Sequence, residues 1–193
     1  MHIEEVFQLD QLPQAPERER YFVCIGGNKN YRCFLADKSL SRAAFMDCYA
    51  KEIPFFLRPM YEDESIQVRL DSTYAVPGFC IISPRGNYHT VAELPRQIYL
   101  DCVRMAANIT RILYQMPDVE RVYFYYDEHY EKPASAHFWV LPVYTSHLND
   151  GKIPEIEDMS VWHYMESFDY QTEAKYIQTC FFQIQEELKR YGV

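Results

Sequence analysis

The chain has 193 residues and a mass of 23.0 kDa, enough for a sizeable single core, so one domain spanning 1–193 is expected. Hydrophobic residues make up 48% and charged residues 24%, which excludes a disordered chain, and only 6 glycines stand beside 17 Tyr, 12 Phe and 2 Trp, which argues against glycine-loop phosphate sites. With 19 Lys and Arg against 28 Asp and Glu, the net charge of −9 gives no global attraction to nucleic acid or to an anionic membrane.

The start, Met1 to Val6, has neither the basic residues nor the apolar run of a secretory signal, and no apolar stretch approaches the ~20 residues of a membrane span. The expectation is a cytoplasmic protein. Residues 1–19 are polar and carry Pro13 and Pro16, which predicts a surface-wrapping or frayed segment. Tyr21 to Ile25 and Tyr31 to Leu35 read as two strands of a hairpin around the turn Gly26-Gly27-Asn28-Lys29-Asn30. Ser39 can cap a helix that runs to about Ala50, and Pro54 lies beyond its end.

Ile66-Gln67-Val68-Arg69-Leu70 alternates apolar with polar, the period of a half-buried strand. Pro77-Gly78 turns the chain into a second strand at Phe79 to Ile82, antiparallel to the first. From Pro95 to Gln115, apolar residues from Ile98 to Leu113 recur at helical spacing, and Pro117 closes the helix. Arg121 to Tyr126 and Ala136 to Val143 are two further strands, joined by the charged loop from Asp127 to Pro133. That loop mixes carboxylates with His129 but reads as a solvated connection rather than a metal site. After Val143 the chain is polar to about Ser160, and the stripe Tyr176, Ile177, Cys180, Phe181, Ile184, Leu188 outlines a C-terminal amphipathic helix. Strands alternating with helices across short turns predict an α+β fold with a mainly antiparallel sheet. The six cysteines form no Cys-x-x-Cys pair and several lie in apolar runs, so reduced core thiols are expected.

The chemistry concentrates in Ser135-Ala136-His137-Phe138-Trp139-Val140-Leu141-Pro142. Strand alternation puts Ser135, His137 and Trp139 in one row on one face. The segment resembles the histidine-triad superfamily, whose strand signature alternates three histidines with apolar residues. Ser135 and Trp139 stand here in the outer positions and His137 in the middle one. Upstream, Ile53-Pro54, Tyr61 to Glu64, Leu70-Asp71, Ala75 to Gly78, Ile81 to Arg85 and Glu93-Leu94 match the family's blocks in order and spacing. The resemblance covers roughly residues 45–143 and leaves an N-terminal extension, 1–44, and a C-terminal helical extension, 144–193.

The resemblance implies an antiparallel sheet with helices on one side and a nucleotide pocket on the other. It gives His137 the role of nucleophile at the α-phosphorus, and an imidazole, with an ordinary pKa near 6.5, is largely neutral and nucleophilic at neutral pH. It gives Asp71 the ribose hydroxyls, although the same residue type also suits a turn cap. Ser135, Arg85 and Asn87 are candidate phosphate contacts. Trp139 replaces a phosphate-contacting histidine, and as an aromatic on a strand it also reads as a packing residue. Cys48 lies near a zinc-binding cysteine of some family members, but its partner position is not Cys, so no metal or other cofactor is expected. The expected activity is nucleotidyl hydrolysis or transfer on a nucleotide or nucleotide conjugate. The alternative is a catalytically inactive nucleotide-sensing or protein-interaction module. Family members are often homodimers, and the resemblance extends that expectation here.

Overall fold

The computed structural model describes residues 3–6, 20–25, 32–37, 59–71, 74–86, 88–128, 136–155 and 159–191. The helix expected from Ser39 and the positions Asn87 and Ser135 lie outside them. Among the described residues, eight strands form two antiparallel sheets. The first holds β1 (Ile3–Val6), β2 (Arg20–Ile25) and β3 (Arg32–Asp37) in the order β1-β3-β2. The two strands of the expected hairpin pair antiparallel, with Phe22 opposite Leu35, and its expected turn lies outside the described residues. For residues 3–6 the structure excludes the frayed half of the surface-wrapping or frayed expectation. Despite their polar character, Ile3 to Val6 pair with Ala36 to Cys33, because an edge position supplies the backbone partners an isolated polar segment lacks.

The second sheet has the order β4-β5-β6-β8-β7, built from β4 (Tyr61–Glu62), β5 (Ile66–Leu70), β6 (Cys80–Pro84), β7 (Val119–Asp127) and β8 (His137–Tyr144). β5 and β6 pair antiparallel as expected, with Val68 opposite Ile82. β8 lies between β6 and β7, which makes it a central strand and accounts for its burial from Phe138 to Tyr144. β4 was not legible as a strand because two residues are too few to show a period. It is held by Asp63, whose Oδ1 accepts the N–H groups of Ser65 at 2.7 Å and Ile66 at 2.8 Å and closes the turn into β5.

Helix α1 (Arg96–Leu113) starts at Pro95, whose missing N–H costs nothing at a helix N-terminus. Its buried residues Cys102, Met105, Ala106, Ile109, Ile112 and Leu113 fall three or four apart. They cover the sheet face formed by Ile66, Val68, Leu70, Cys80, Ile82, Phe138 and Val140, all buried. The long C-terminal helix α3 (Tyr170–Arg190) packs on α1 through the expected stripe, with Ile177, Cys180, Phe181, Ile184 and Leu188 all buried. It begins six residues before that stripe, capped by Asp169, which accepts the N–H of Thr172 at 3.0 Å.

Between β8 and α3 the chain is not merely polar. A short helix, α2 (Ser160–Glu166), buries Val161, Tyr164 and Met165. Tyr164 Oη accepts the N–H of Tyr144 at 2.9 Å and donates to the carbonyl of Pro142 at 3.1 Å, tying α2 to the end of β8. The Tyr123 hydroxyl donates to the carbonyl of Pro154, and the Tyr125 hydroxyl lies 4.0 Å from Sδ of Met165. α2 therefore sits over the sheet face opposite α1. Cys80, Cys102 and Cys180 are buried free thiols, and burial pushes Cys102 and Cys180 up to about 12. No helix among the described residues is long and apolar enough to cross a membrane.

Candidate functional site

Register defines the face opposite α1. Arg69 pairs with Ile81, Ile81 with Trp139, and Trp139 with Tyr125, so these four share one row and one face. One step along the strands, Gln67 pairs with Ser83 and His137 with Asp127. Ser83 follows the last β6–β8 pair, Ile82 with Phe138. Gln67, Ser83, His137 and Asp127 thus form a second row across the sheet, and each is half-buried. Directly opposed residues have Cβ atoms about 4.5–5.5 Å apart, which puts the Asp127 carboxylate within side-chain reach of the imidazole.

His137 is the first residue of β8. Its entry is fixed from behind, because the N–H of Ala136 donates to the carbonyl of Tyr88 at 2.8 Å. Its ring stacks on Trp139, with centroids 5.8 Å apart and planes 23° apart. The imidazole is half-buried and Trp139 lies beside it, so the indole does not seal it.

Trp139 packs edge-on against Phe79 at 5.2 Å and Trp162 at 5.8 Å, and tilted against Tyr125 at 5.2 Å. It is 8% exposed, and its Nε1–H is buried with no acceptor among the described residues. An unmade hydrogen bond of that kind costs about 1–3 kcal/mol. Trp139 is therefore a packing element whose indole donor is unmatched among the described residues.

Asp71 follows β5 on the same face. Its Oδ1 accepts the N–H of Tyr74 at 2.6 Å, and its own N–H donates to the carbonyl of Phe79 at 2.8 Å. The turn-cap expectation for Asp71 is met by this bond, which also fixes the direction of the carboxylate. Burial raises the Tyr125 pKa above its ordinary range, and the charges of Asp71 and Asp127 add to the rise, so both carboxylates lie near this phenol.

Arg85 goes elsewhere. Its guanidinium bonds the carboxylate of Glu62 and the carbonyl of Asp63, at the β4 edge of the sheet. The structure thus brings together His137, Trp139 and Asp71 and leaves Arg85 paired at one border. Sequence reasoning passed over Arg69, Ser83 and Trp162 as site residues and gave Asp127 to a solvated loop, whereas β7 runs through to Asp127. The alternation of β5 already assigned Arg69 to a polar face, whereas Asp127 and Trp162 become visible only once strand register and the position of α2 are fixed. Among the described residues no group of three or more His, Cys, Asp or Glu side chains is arranged to hold a metal ion.

Known families provide no model that matches the chain, and no curated protein is similar to it. Solved structures are. A HIT-like protein involved in cell-cycle regulation from Bartonella henselae aligns with a TM-score of 0.45 at 14% identity, over 74% of this chain and 93% of that one. A zinc-bound histidine triad family protein from Mycobacterium smegmatis gives 0.45 at 14% identity, over 74% and 94%. A hypothetical histidine triad nucleotide-binding protein from Sulfolobus tokodaii gives 0.46 at 12% identity, over 76% and 91%. The chain resembles histidine-triad structures at this level, and its own fold is α+β with an antiparallel five-stranded sheet.

Proposed function

We propose that the chain binds a nucleoside phosphate compound on the sheet face opposite α1 and acts on it through His137, as a nucleotidyl hydrolase or transferase. The observation that carries this reading is the half-buried His137 imidazole, which opens β8 beside Trp139 and a band of polar side chains formed by Gln67, Ser83 and Asp127. A ring nitrogen attacks the α-phosphorus, so that an N–P bond forms as the P–O bond to the leaving group breaks and that group departs with a proton from solvent. Water or another acceptor then cleaves the N–P bond, releasing the nucleotide and restoring the imidazole. Asp71 would hold the ribose through a carboxylate already oriented by Tyr74. Ser135 and Asn87, which lie outside the described residues, are the candidate phosphate contacts, and Arg85 would serve only by leaving Glu62.

A second reading has its own support. Trp139 is buried at a position where a phosphate-contacting histidine would stand, which favours a module that binds a nucleotide or a protein without turnover. The two separate on incubation with dinucleoside polyphosphates, nucleotide sugars and nucleotidyl phosphoramidates, followed by intact-protein mass measurement. A nucleotidyl adduct or turnover in the wild type, lost in His137→Ala, is the expected result. Binding without adduct or turnover across all three classes would replace the enzyme with the module.

A further inference from the structure

The chain contains two tryptophans, and both stand at one place on the same face. Trp139 comes from β8, inside the region of family resemblance. Trp162 comes from α2, in the C-terminal extension outside it. Their ring centroids are 5.8 Å apart at 75°. Tyr74 lies 6.4 Å from Trp162 at 52°, three residues beyond Asp71, whose carboxylate accepts its N–H. These aromatics therefore adjoin the candidate ribose contact on one side and, through Trp139, His137 on the other.

Their burial differs in a telling way. Trp139 is enclosed, with His137 stacked on its ring and Phe79, Tyr125 and Trp162 around it. Tyr74, Tyr125 and Trp162 are only half-buried. Aromatic area left in water is area that a planar ligand can cover, and base–aromatic stacking is among the stronger contacts available to a nucleotide.

We propose that Trp162 is the base-stacking residue of the site, so that the C-terminal extension supplies the wall against which the aromatic base of a nucleoside 5′-phosphate lies. The inference rests on the nucleotide reading above and deepens it. Asp71 holds the ribose, His137 meets the phosphate, and Trp162 distinguishes a ligand with a base from one without.

The test is calorimetric titration of the wild type and of Trp162→Ala with AMP, GMP and UMP, and with ribose 5-phosphate, which has no base. At the usual strength of a base stack, the nucleotides should bind the wild type about tenfold or more tighter than ribose 5-phosphate. Trp162→Ala should abolish most of that advantage and leave the ribose 5-phosphate affinity in place. An advantage that survives Trp162→Ala, or tighter nucleotide binding by that variant, would overturn the role, the latter because it would make the ring a plug. Trp139→Phe leaves Trp162 as the sole indole and tests the contact with the ring intact. Its fluorescence should be quenched by AMP and not by ribose 5-phosphate, and a signal unmoved by saturating AMP would overturn the proposal. If neither the nucleotides nor ribose 5-phosphate binds the wild type, the nucleotide reading falls and this inference with it. If both bind and Trp162 makes no difference, only this inference falls.

Discussion

Asp63 shows how much one side chain can organise. It accepts three hydrogen bonds, from the Tyr61 hydroxyl at 2.6 Å and from the N–H groups of Ser65 at 2.7 Å and Ile66 at 2.8 Å. Burial works to raise its pKa, but these bonds outweigh it and hold the carboxylate below its ordinary value, while burial and the same contact push Tyr61 up to about 12. A carboxylate with a depressed folded-state pKa adds stability above its unfolded value of about 3.9, and that contribution is lost as the pH falls through the lower folded value. Asp63→Asn should therefore cost about 1 kcal/mol near pH 7, and its unfolding midpoint should converge on the wild type in urea titrations carried below the ordinary carboxylate range. Gly78 makes a different point. Its φ of +73° is one that side chains rarely adopt, and a Cβ there would meet Cδ2 of Leu113 at 2.9 Å. Gly78→Ala should destabilise by about 1–3 kcal/mol from strain and overpacking together, seen as a lower thermal midpoint.

At the level of elements, α1 joins the sheet to the C-terminal helix. Ile109 is fully buried in its C-terminal half, so Ile109→Ala should cost about 2–5 kcal/mol, measured by chemical denaturation, whereas the exposed Arg104→Ala on the same helix should change little. The helices and inner strands were legible because their side chains repeat at 3.6 or at 2 residues, as in Cys102, Met105, Ile109 and Leu113, or in Ile66, Val68 and Leu70. β1 and β4 were not, since short polar edge strands take their stability from a neighbour's backbone. The seven residues of α2 were missed for a related reason: two turns give too little periodicity, and Val161, Tyr164 and Met165 acquire their meaning from the sheet beneath them. The candidate site divides the same way. His137, Trp139 and Asp71 were found from a pattern along the chain, but the pairing of His137 with Asp127 depends on the register between β7 and β8. No local sequence feature states that register.

Across the whole molecule, the extension beyond the region of family resemblance belongs to the core. Ile177, Cys180, Phe181, Ile184 and Leu188 are each 5% exposed or less, and Cys180 lies against Gly78 and Tyr144, which join the loop before β6 to the end of β8. Tyr144 closes this junction by donating its hydroxyl to the carbonyl of Pro77 at 2.6 Å, and burial raises its pKa far above the ordinary range. Burying an aliphatic or aromatic side chain contributes about 1.5–3 kcal/mol, so removing this stripe takes away an amount comparable to the roughly 5–15 kcal/mol by which a native domain is stable. A chain ended after Phe168 should therefore lose its cooperative thermal transition and its near-ultraviolet circular dichroism. It should also leave Cys80, at present deep in the core, open to alkylation. Retention of a sharp transition close to the wild-type midpoint would show instead that the sheet and α1 hold together unaided. Alkylation separates local from global loss: a chain whose Cys102 stays protected while Cys80 reacts has opened only at the junction with α3, and one in which both react has lost the shared core.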